Sequence, residues 1–234
     1  MYKGQKSVRG GIEDFLCPFT DMYITQGSNS AYSHKGIMAN DVRGLQVGVR
    51  YAIYSPCSCK CLKIYPESGQ SMWQSLNPVR FANGRIDYAT FMIAHDNSLN
   101  CLVGQSISQG DQIANMGNKG NATGVHTHIQ ISQSRDSSWF KNQYGIYKFN
   151  NEYDLDDCYF VDSTNILYGM GGNWKTIQDV PVKEVVDQII HVGSHVRLTG
   201  TYTVTEIDIP NNKSKINVEG EDIWLSSVPL EEVE

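Results

Sequence analysis

The stretch Val125–Ser132, VHTHIQIS, alternates apolar and polar residues with the two-residue period of a β-strand. In a strand, His126, His128 and Gln130 share one face, and the apolar residues between them share the other. The apolar face is expected to pack on a core, so the two histidines point together into open or polar space. An isolated pair of this kind is usually a pair of surface histidines, so its meaning depends on the rest of the chain.

Similar stretches elsewhere predict a mainly β protein. VGVRYAIYS, CLKIYP and YATFMIAHD are rich in β-branched and aromatic residues, and Gly, Asn, Asp, Ser and Pro mark the turns between them. Only two short segments, GGIEDFL and VKEVVDQII, have the pattern of a helix. We therefore expect an antiparallel β-sheet or sandwich over about residues 10–165.

The C-terminal part of the chain has a different composition. Residues 181–234 contain 4 basic and 10 acidic residues, which accounts for the whole net charge of -6. Before it, the glycine-containing stretch YGMGGNWKTIQDVP is typical of a linker, and after it four or five short strand patterns are enough for a small barrel. The predicted organisation is a first domain over 1–167, a linker over 168–185 and a small β-barrel over 186–234.

Composition excludes several partners. No long basic run is present, so a nucleic-acid partner is not expected. No stretch approaches the roughly 20 apolar residues of a membrane helix, so membrane insertion is not expected either. The N-terminus lacks the apolar segment of a signal peptide, which predicts synthesis in the cytoplasm or removal of a signal. The oligomeric state is not predicted.

Three of the six cysteines, Cys57, Cys59 and Cys61, lie in the motif CSCKC. One interpretation is a zinc site, but a strand would separate the outer two by about 13 Å, too far for one tetrahedral ion without a bend. The favoured interpretation is that they are reduced thiols acting as small apolar groups. Six cysteines are also too few for a disulfide scaffold in a chain of 234 residues.

A metal site is the strongest functional hypothesis. SHKGIMAND contains His34 and Asp41 on either side of a glycine-containing turn. With His128 they supply the three protein ligands of a catalytic zinc, whose bound water has a pKa near about 7. His126 is then free to act as the base. His95, at the end of TFMIAH, is a candidate to stabilise oxyanion charge, although a structural histidine at a strand end is an equal alternative.

Two segments carry a family resemblance. The first, HDNSLNCLVGQSISQGDQIANMGNKGNATGVHTHIQIS (95–132), resembles the core of the lysostaphin- and LytM-type zinc endopeptidases, and ITQGSNSAYSHKGIMAND (24–41) resembles their upstream motif. The resemblance implies that His34, Asp41 and His128 are zinc ligands. It also implies that His126 is the general base and that His95 stabilises the tetrahedral intermediate. The chain has six residues between the first two ligands, where the commonest family spacing has three.

The resemblance implies a zinc-dependent endopeptidase that hydrolyses peptide bonds in bacterial peptidoglycan. The C-terminal part is similar in pattern to SH3-like wall-binding modules, and the combination suggests a phage or prophage lysin, or a tail-associated hydrolase, acting on the cell wall. The alternative is a non-catalytic wall-binding or phage tail structural module. Such modules usually lack ligands, and this chain has every expected one. Cleavage in the stem peptide and cleavage in the cross-bridge both stay open.

Overall fold

The computed structural model describes residues 1–182, 204–208, 213–218 and 221–226. The chain divides into two compact units, Met1–Val186 and Asp187–Glu234. The described residues are mainly strand, which confirms the predicted fold class. Their short helices are the α-helix α1 (Leu155–Cys158) and the 3-10 helices Pro66–Ser68 and Ile177–Asp179. No helix in these described ranges has the length and apolar character needed to cross a membrane.

The described part of the first unit contains eighteen strands. In chain order they are β1 (Val8–Arg9), β2 (Ile12–Asp14), β3 (Asp21–Gln26), β4 (Ala39–Arg43), β5 (Ala52–Tyr54), β6 (Cys59–Tyr65), β7 (Gln70–Ser75), β8 (Val79–Arg80), β9 (Ile86–Asp87), β10 (Thr90–Ala94), β11 (Ser98–Leu99), β12 (Ser106–Ile107), β13 (Gln112–Asn115), β14 (Thr127–Ser132), β15 (Trp139–Lys141), β16 (Tyr147–Phe149), β17 (Glu152–Tyr153) and β18 (Asn165–Tyr168).

A nine-stranded sheet organises this unit. Its strand order is β12-β6-β7-β10-β14-β4-β3-β18, and β17 pairs with β14 beside the main path. Three smaller sheets have the orders β1-β2-β8-β9, β11-β13-β5 and β15-β16. Most pairs are antiparallel, as predicted, but β3 with β18 and β2 with β8 are parallel. The sheets are therefore mixed, because these strands meet through long connections that the local sequence does not reveal.

The two faces of β14 have different neighbours. Ile129 and Ile131 are fully buried in the main core, which confirms the predicted apolar face of this strand. In that core the rings of Phe15 and Tyr159 stack with their centres 5.0 Å apart. On the neighbouring strand, β10, Ala94 lies opposite His128 in the ladder, so the histidine is anchored in the middle of a fully paired sheet.

The two predicted helices have different outcomes. GGIEDFL is not helical: Ile12–Asp14 forms β2, which pairs in parallel with β8. The reason is tertiary, because the buried carboxylate of Asp14 lies 2.7 Å from Arg9 Nη2 and 3.0 Å from Arg80 Nη1. VKEVVDQII, residues 182–190, lies outside the described residues apart from its first position.

The described strands of the second unit form one antiparallel sheet. They are β19 (Val204–Asp208), β20 (Lys213–Val218) and β21 (Glu221–Ser226), in that spatial order. This agrees with the strand-rich prediction for the C-terminal part. The predicted SH3-like barrel needs further strands, and the rest of residues 186–234 lies outside the described ranges.

The first part of the predicted linker contacts the first unit. Val161 N–H donates to Lys175 O at 3.0 Å, and Arg9 Nη1 donates to the carbonyl oxygens of Ile177 and Val180. The side chain of Trp174 packs against the main core. Residues up to Val180 are therefore held by both backbone hydrogen bonds and apolar contact, and the boundary at 167 stays a prediction.

These contacts predict where the chain can be shortened. A chain of residues 1–186 should unfold at the same temperature as the first unit of the full chain. A chain of residues 1–167 should lose about 2–3 kcal/mol of unfolding free energy, because it lacks the Trp174 side chain and the carbonyl partners of Arg9. Thermal unfolding of the two chains tests this, and equal midpoints would show that residues 168–186 contribute nothing to stability.

Candidate metal centre

Three side chains lie within reach of one cation. His34, Asp41 and His128 each offer a ligand atom, and these atoms all lie within 4.8 Å of one another. Asp41 and His128 are direct partners in the β4–β14 ladder, and Asp41 Oδ1 is 3.0 Å from His128 Nδ1. His34 Nε2 approaches the same oxygen at 3.3 Å from the loop before β4. Within the described ranges, no other group of three His, Cys, Asp or Glu side chains meets this condition.

The ring of His34 has one nitrogen available for a metal. The side chain is buried, and its Nδ1–H donates to the carbonyl oxygen of Gly27 at 3.1 Å. This fixes the tautomer and leaves a lone pair on Nε2, which faces Asp41 and has no hydrogen-bond partner. A buried ring nitrogen without a partner, beside a carboxylate and a second imidazole, fits the donor set that binds zinc.

The protonation states of the cluster also suit a cation. Burial raises the pKa of Asp41, but the hydrogen bond from His128 and the close approach of the His34 ring outweigh it and hold this pKa well below its usual range. Burial lowers the pKa of His128, although Asp41 acts in the opposite direction. Metals are coordinated by ionised carboxylates and neutral imidazoles. Asp41 and His128 therefore favour the protonation states that a cation requires.

His126 and His95 lie beside the three candidate ligands. His126 Nε2 is 3.8 Å from Asp41 Oδ1, and its ring centre is 4.9 Å from that of His95. The Nδ1–H groups of the two rings donate to backbone carbonyls, Gly124 O for His126 and Lys119 O for His95. Neutral rings in these tautomers carry the lone pair on Nε2. Burial lowers the pKa of His95, which favours its neutral form.

Glycines make the approach of His95 possible. His95 follows β10 with φ at 69°, in the left-handed region that few side chains adopt, and its N–H donates to Ser68 O. A Cβ at Gly69 would collide with the backbone of Asp96, and one at Gly117 would collide with the backbone of Asn97. The chain after His95 therefore passes between two turns that only glycine allows to come so close.

The structure brings all five predicted site residues together, and their roles remain predictions. It adds Gln130, which the sequence analysis placed on the same strand face without a role. Gln130 Nε2 lies 2.9 Å from His128 Nε2 and donates to Tyr147 O at 3.2 Å. Its Oε1 is buried without a partner. The alternation of VHTHIQIS was the signal for this contact, since residues two apart on a strand are neighbours on one face.

A cleft of about 370 Å³ opens beside the cluster. His95, His128 and Gln130 line one side of it. The hairpin β15–β16 supplies an aromatic wall, in which the rings of Trp139 and Tyr147 stack with centres 5.8 Å apart. No lining residue of the cleft carries a formal charge apart from the titratable histidines. The site is thus an uncharged groove with polar and titratable groups at one side.

Residues 75–139 match the model of Peptidase family M23, and this segment contains His95, His126 and His128. The chain therefore contains a segment of peptidase family M23. A related protein is Morphogenesis protein 1 of Bacillus phage B103, which is 32% identical over 167 residues. The match covers 71% of this chain and 45% of that protein, so the chain spans less than half the length of this relative.

Three solved structures illustrate what this chain is similar to. The catalytic domain of lysostaphin from Staphylococcus simulans is 20% identical, with 47% of this chain and 77% of that chain covered and a TM-score of 0.34. LytU is 23% identical, with 58% and 81% covered and a TM-score of 0.35. A zinc-containing peptidase from Vibrio cholerae is 18% identical, with 57% and 37% covered and a TM-score of 0.37.

Proposed function

We propose that this M23 chain is a zinc-dependent endopeptidase that hydrolyses peptide bonds in bacterial peptidoglycan. The observation that supports it best is the cluster of His34, Asp41 and His128, with the unpartnered Nε2 of His34 directed at the carboxylate. Zinc held there supplies Lewis-acid chemistry, which polarises a carbonyl and activates water near neutral pH. The ligand set carries one negative charge, so the centre stays positive overall.

The proton of the attacking water goes to His126 in this proposal. The Nδ1–H of His126 donates a hydrogen bond to Gly124 O, so the basic lone pair of the ring is on Nε2. This nitrogen lies 3.8 Å from Asp41 Oδ1. A positioned imidazole in this tautomer can take a proton from water and return it to the leaving amine. His95, whose ring lies next to that of His126, stabilises the negative charge on the former carbonyl oxygen.

The cleft beside the cluster is the proposed binding groove for the peptide. The stacked rings of Trp139 and Tyr147 give it a rigid apolar wall, and Met92 and Ala94 form part of its lining. Side chains of this kind bind a peptide through apolar contact and shape, without a charge requirement. Phe149 packs edge-on against Trp139 and keeps this wall in position.

The test is cleavage of purified, cross-linked peptidoglycan of known peptide chemistry. Digestion should release fragments with new peptide amino termini and no new reducing sugar ends, identified by mass spectrometry. An excess of chelator should stop the release, and added zinc should restore it. Release of new reducing ends alone would contradict a peptidase, and full activity in excess chelator would contradict a metalloenzyme.

The second candidate function is a non-catalytic wall-binding or phage structural module. The similarity to a phage morphogenesis protein supports it, because such a protein can have a structural role in the particle. It predicts sedimentation with peptidoglycan and no released fragments at any zinc concentration. The complete set of five site residues favours the enzyme. In either case we propose that the chain acts at the cell wall, free or in a phage particle, and that its C-terminal unit binds the wall.

Gln130 provides a prediction about the outer shell of the metal centre. Gln130→Leu should raise the zinc dissociation constant about 10- to 100-fold, because His128 loses the polar neighbour that orients its ring. Gln130→Glu should not restore the original value, since a carboxylate cannot donate the hydrogen bond that the Gln130 amide directs at His128 Nε2. Competition with a chromophoric chelator measures both.

A matched control is Gln133→Leu, which removes a buried glutamine whose contacts are Asn83, Asp157 O and Cys158 instead of the histidines. It should lower thermal stability and leave zinc affinity unchanged. Equal zinc affinities in Gln130→Leu and the original chain would remove Gln130 from the site.

A further inference from the structure

The cysteines have no part in the proposed peptidase chemistry. All six are free thiols; five are buried, and Cys101 is half-buried. The CSCKC motif does not form a metal cluster among the described residues, which leaves its thiols without an assigned role. Its last member, Cys61, has a partner that is distant in the sequence: Cys101 Sγ lies 3.8 Å from Cys61 Sγ, across a separation of 40 positions.

The backbone holds these two sulfurs together. Cys61 N–H donates to Gln105 O at 3.0 Å, and Cys61 O accepts from Gly104 N–H at 2.8 Å. The turn that follows Cys101 is closed by a hydrogen bond from Gln105 N–H to Leu102 O. The turn is therefore fixed to β6 at the position of Cys61 itself. A sulfur–sulfur bond of about 2.05 Å then requires the two side chains to approach each other, while the turn stays hydrogen-bonded to the strand.

We propose that Cys61 and Cys101 are a redox site that forms a reversible disulfide. The oxidant is a small-molecule disulfide of the glutathione class. The more accessible partner, Cys101, attacks one sulfur of the oxidant and expels one thiolate, which takes up the thiol proton. Cys61 then attacks the Cys101 sulfur of the mixed disulfide and expels the second thiolate, which takes up the second proton. One disulfide forms in the protein, and the oxidant is reduced to two thiols.

Access to the oxidant, and not acidity, sets this order. The Cys101 thiol donates a hydrogen bond to the Cys61 sulfur, and this contact lowers the pKa of Cys61 and raises the pKa of Cys101. Cys61 is fully buried, so it meets the oxidant only after Cys101 has carried one half of it. The more accessible Cys101 therefore reacts first, and Cys61, whose pKa is the lower of the two, attacks the mixed disulfide in the second step.

The bond would connect the turn after β11 to the edge region of the nine-stranded sheet. The loop that it closes contains the first 3-10 helix and β7, β8, β9, β10 and β11, and it includes His95. A disulfide across a long loop stabilises a protein mainly by restricting its unfolded chain. We therefore expect the oxidised protein to unfold several degrees above the reduced protein. The inference does not depend on peptidase activity.

The experiment equilibrates the full chain in mixtures of reduced and oxidised glutathione. Free thiols are then alkylated in denaturant, and the peptides are mapped by mass spectrometry without reduction. The expected result is one linked pair of peptides, containing Cys61 and Cys101, with the other four cysteines alkylated. Dithiothreitol should reverse the link and the gain in unfolding temperature together.

Variants separate this site from general oxidation. Cys101→Ser and Cys101→Val should both abolish the linked pair and the redox-dependent difference in unfolding temperature. Cys17→Ser, which changes a fully buried cysteine elsewhere in the core, should leave both intact. A link between Cys57 and Cys59, or full alkylation of Cys61 and Cys101 at every glutathione ratio, would overturn the proposal.

Discussion

His128→Ala should lose its zinc and its peptide hydrolysis, whereas His126→Ala should keep the zinc and lose only the hydrolysis. His128 Nδ1 faces Asp41 Oδ1 at 3.0 Å within the three-ligand cluster, while the basic Nε2 of His126 lies outside that cluster. Removing a ligand should weaken zinc binding by more than about a hundredfold, the upper end of the effect of outer-shell partners. Removing a general base costs about 10²- to 10⁴-fold in turnover.

Zinc content by atomic absorption and cleavage of a soluble wall peptide measure the two effects separately. The two variants control each other, because each removes an imidazole from the same strand face, two positions apart. Thermal unfolding in the presence of chelator checks that both still fold. Equal zinc retention in the two variants would refute the division of the pair into ligand and base.

His95→Ala should keep its zinc and lose about 10²- to 10³-fold in turnover, the usual cost of one missing donor to a developing oxyanion. Substrate affinity should change less, because the negative charge exists mainly in the transition state. The ring belongs to the site, since its centre is 4.9 Å from that of His126 and 6.1 Å from that of His128. Near-normal turnover with a lowered melting temperature would make His95 a structural residue.

The tautomer of His95 allows a sharper experiment. Its Nδ1–H is bonded to Lys119 O, and burial lowers its pKa, so the ring must take up a proton on Nε2 before it can donate to the oxyanion. His95→Gln supplies an N–H group without proton uptake. If His95 donates a hydrogen bond to the oxyanion, the glutamine variant should recover part of the turnover that alanine loses. If His95 instead accepts a proton, glutamine should be as inactive as alanine.

The sequence by itself determined the fold class and the candidate site. The alternation of VHTHIQIS placed Ile129 and Ile131 in the core and assigned His126, His128 and Gln130 to the opposite face, because the strand period depends only on local backbone geometry. The choice of candidate ligands came from residue chemistry and motif spacing, which are also properties of the sequence. The three candidate ligands lie at one site in the structure, together with His126 and His95.

Pairing could not be predicted in the same way. GGIEDFL has a helical pattern, yet Ile12–Asp14 is a strand, because its backbone pairs with β8 and Asp14 binds two arginines, one of them 66 positions away. The parallel pairing of β3 with β18 likewise joins distant segments. In both pairings the free energy of the tertiary contacts outweighs the weak local conformational preference of the segment. A local sequence pattern contains no information about a partner strand that is distant in the chain.

The metal centre depends on the same kind of contact. Asp41 and His128 are 87 positions apart, and only the register of β4 against β14 places the carboxylate opposite the imidazole. The tautomer of His34 depends on Gly27 O, and the environment of His128 depends on Gln130. The sequence thus supplied the ligand types, while the tertiary structure supplied their distances and protonation states, because burial and hydrogen bonding to distant groups set both.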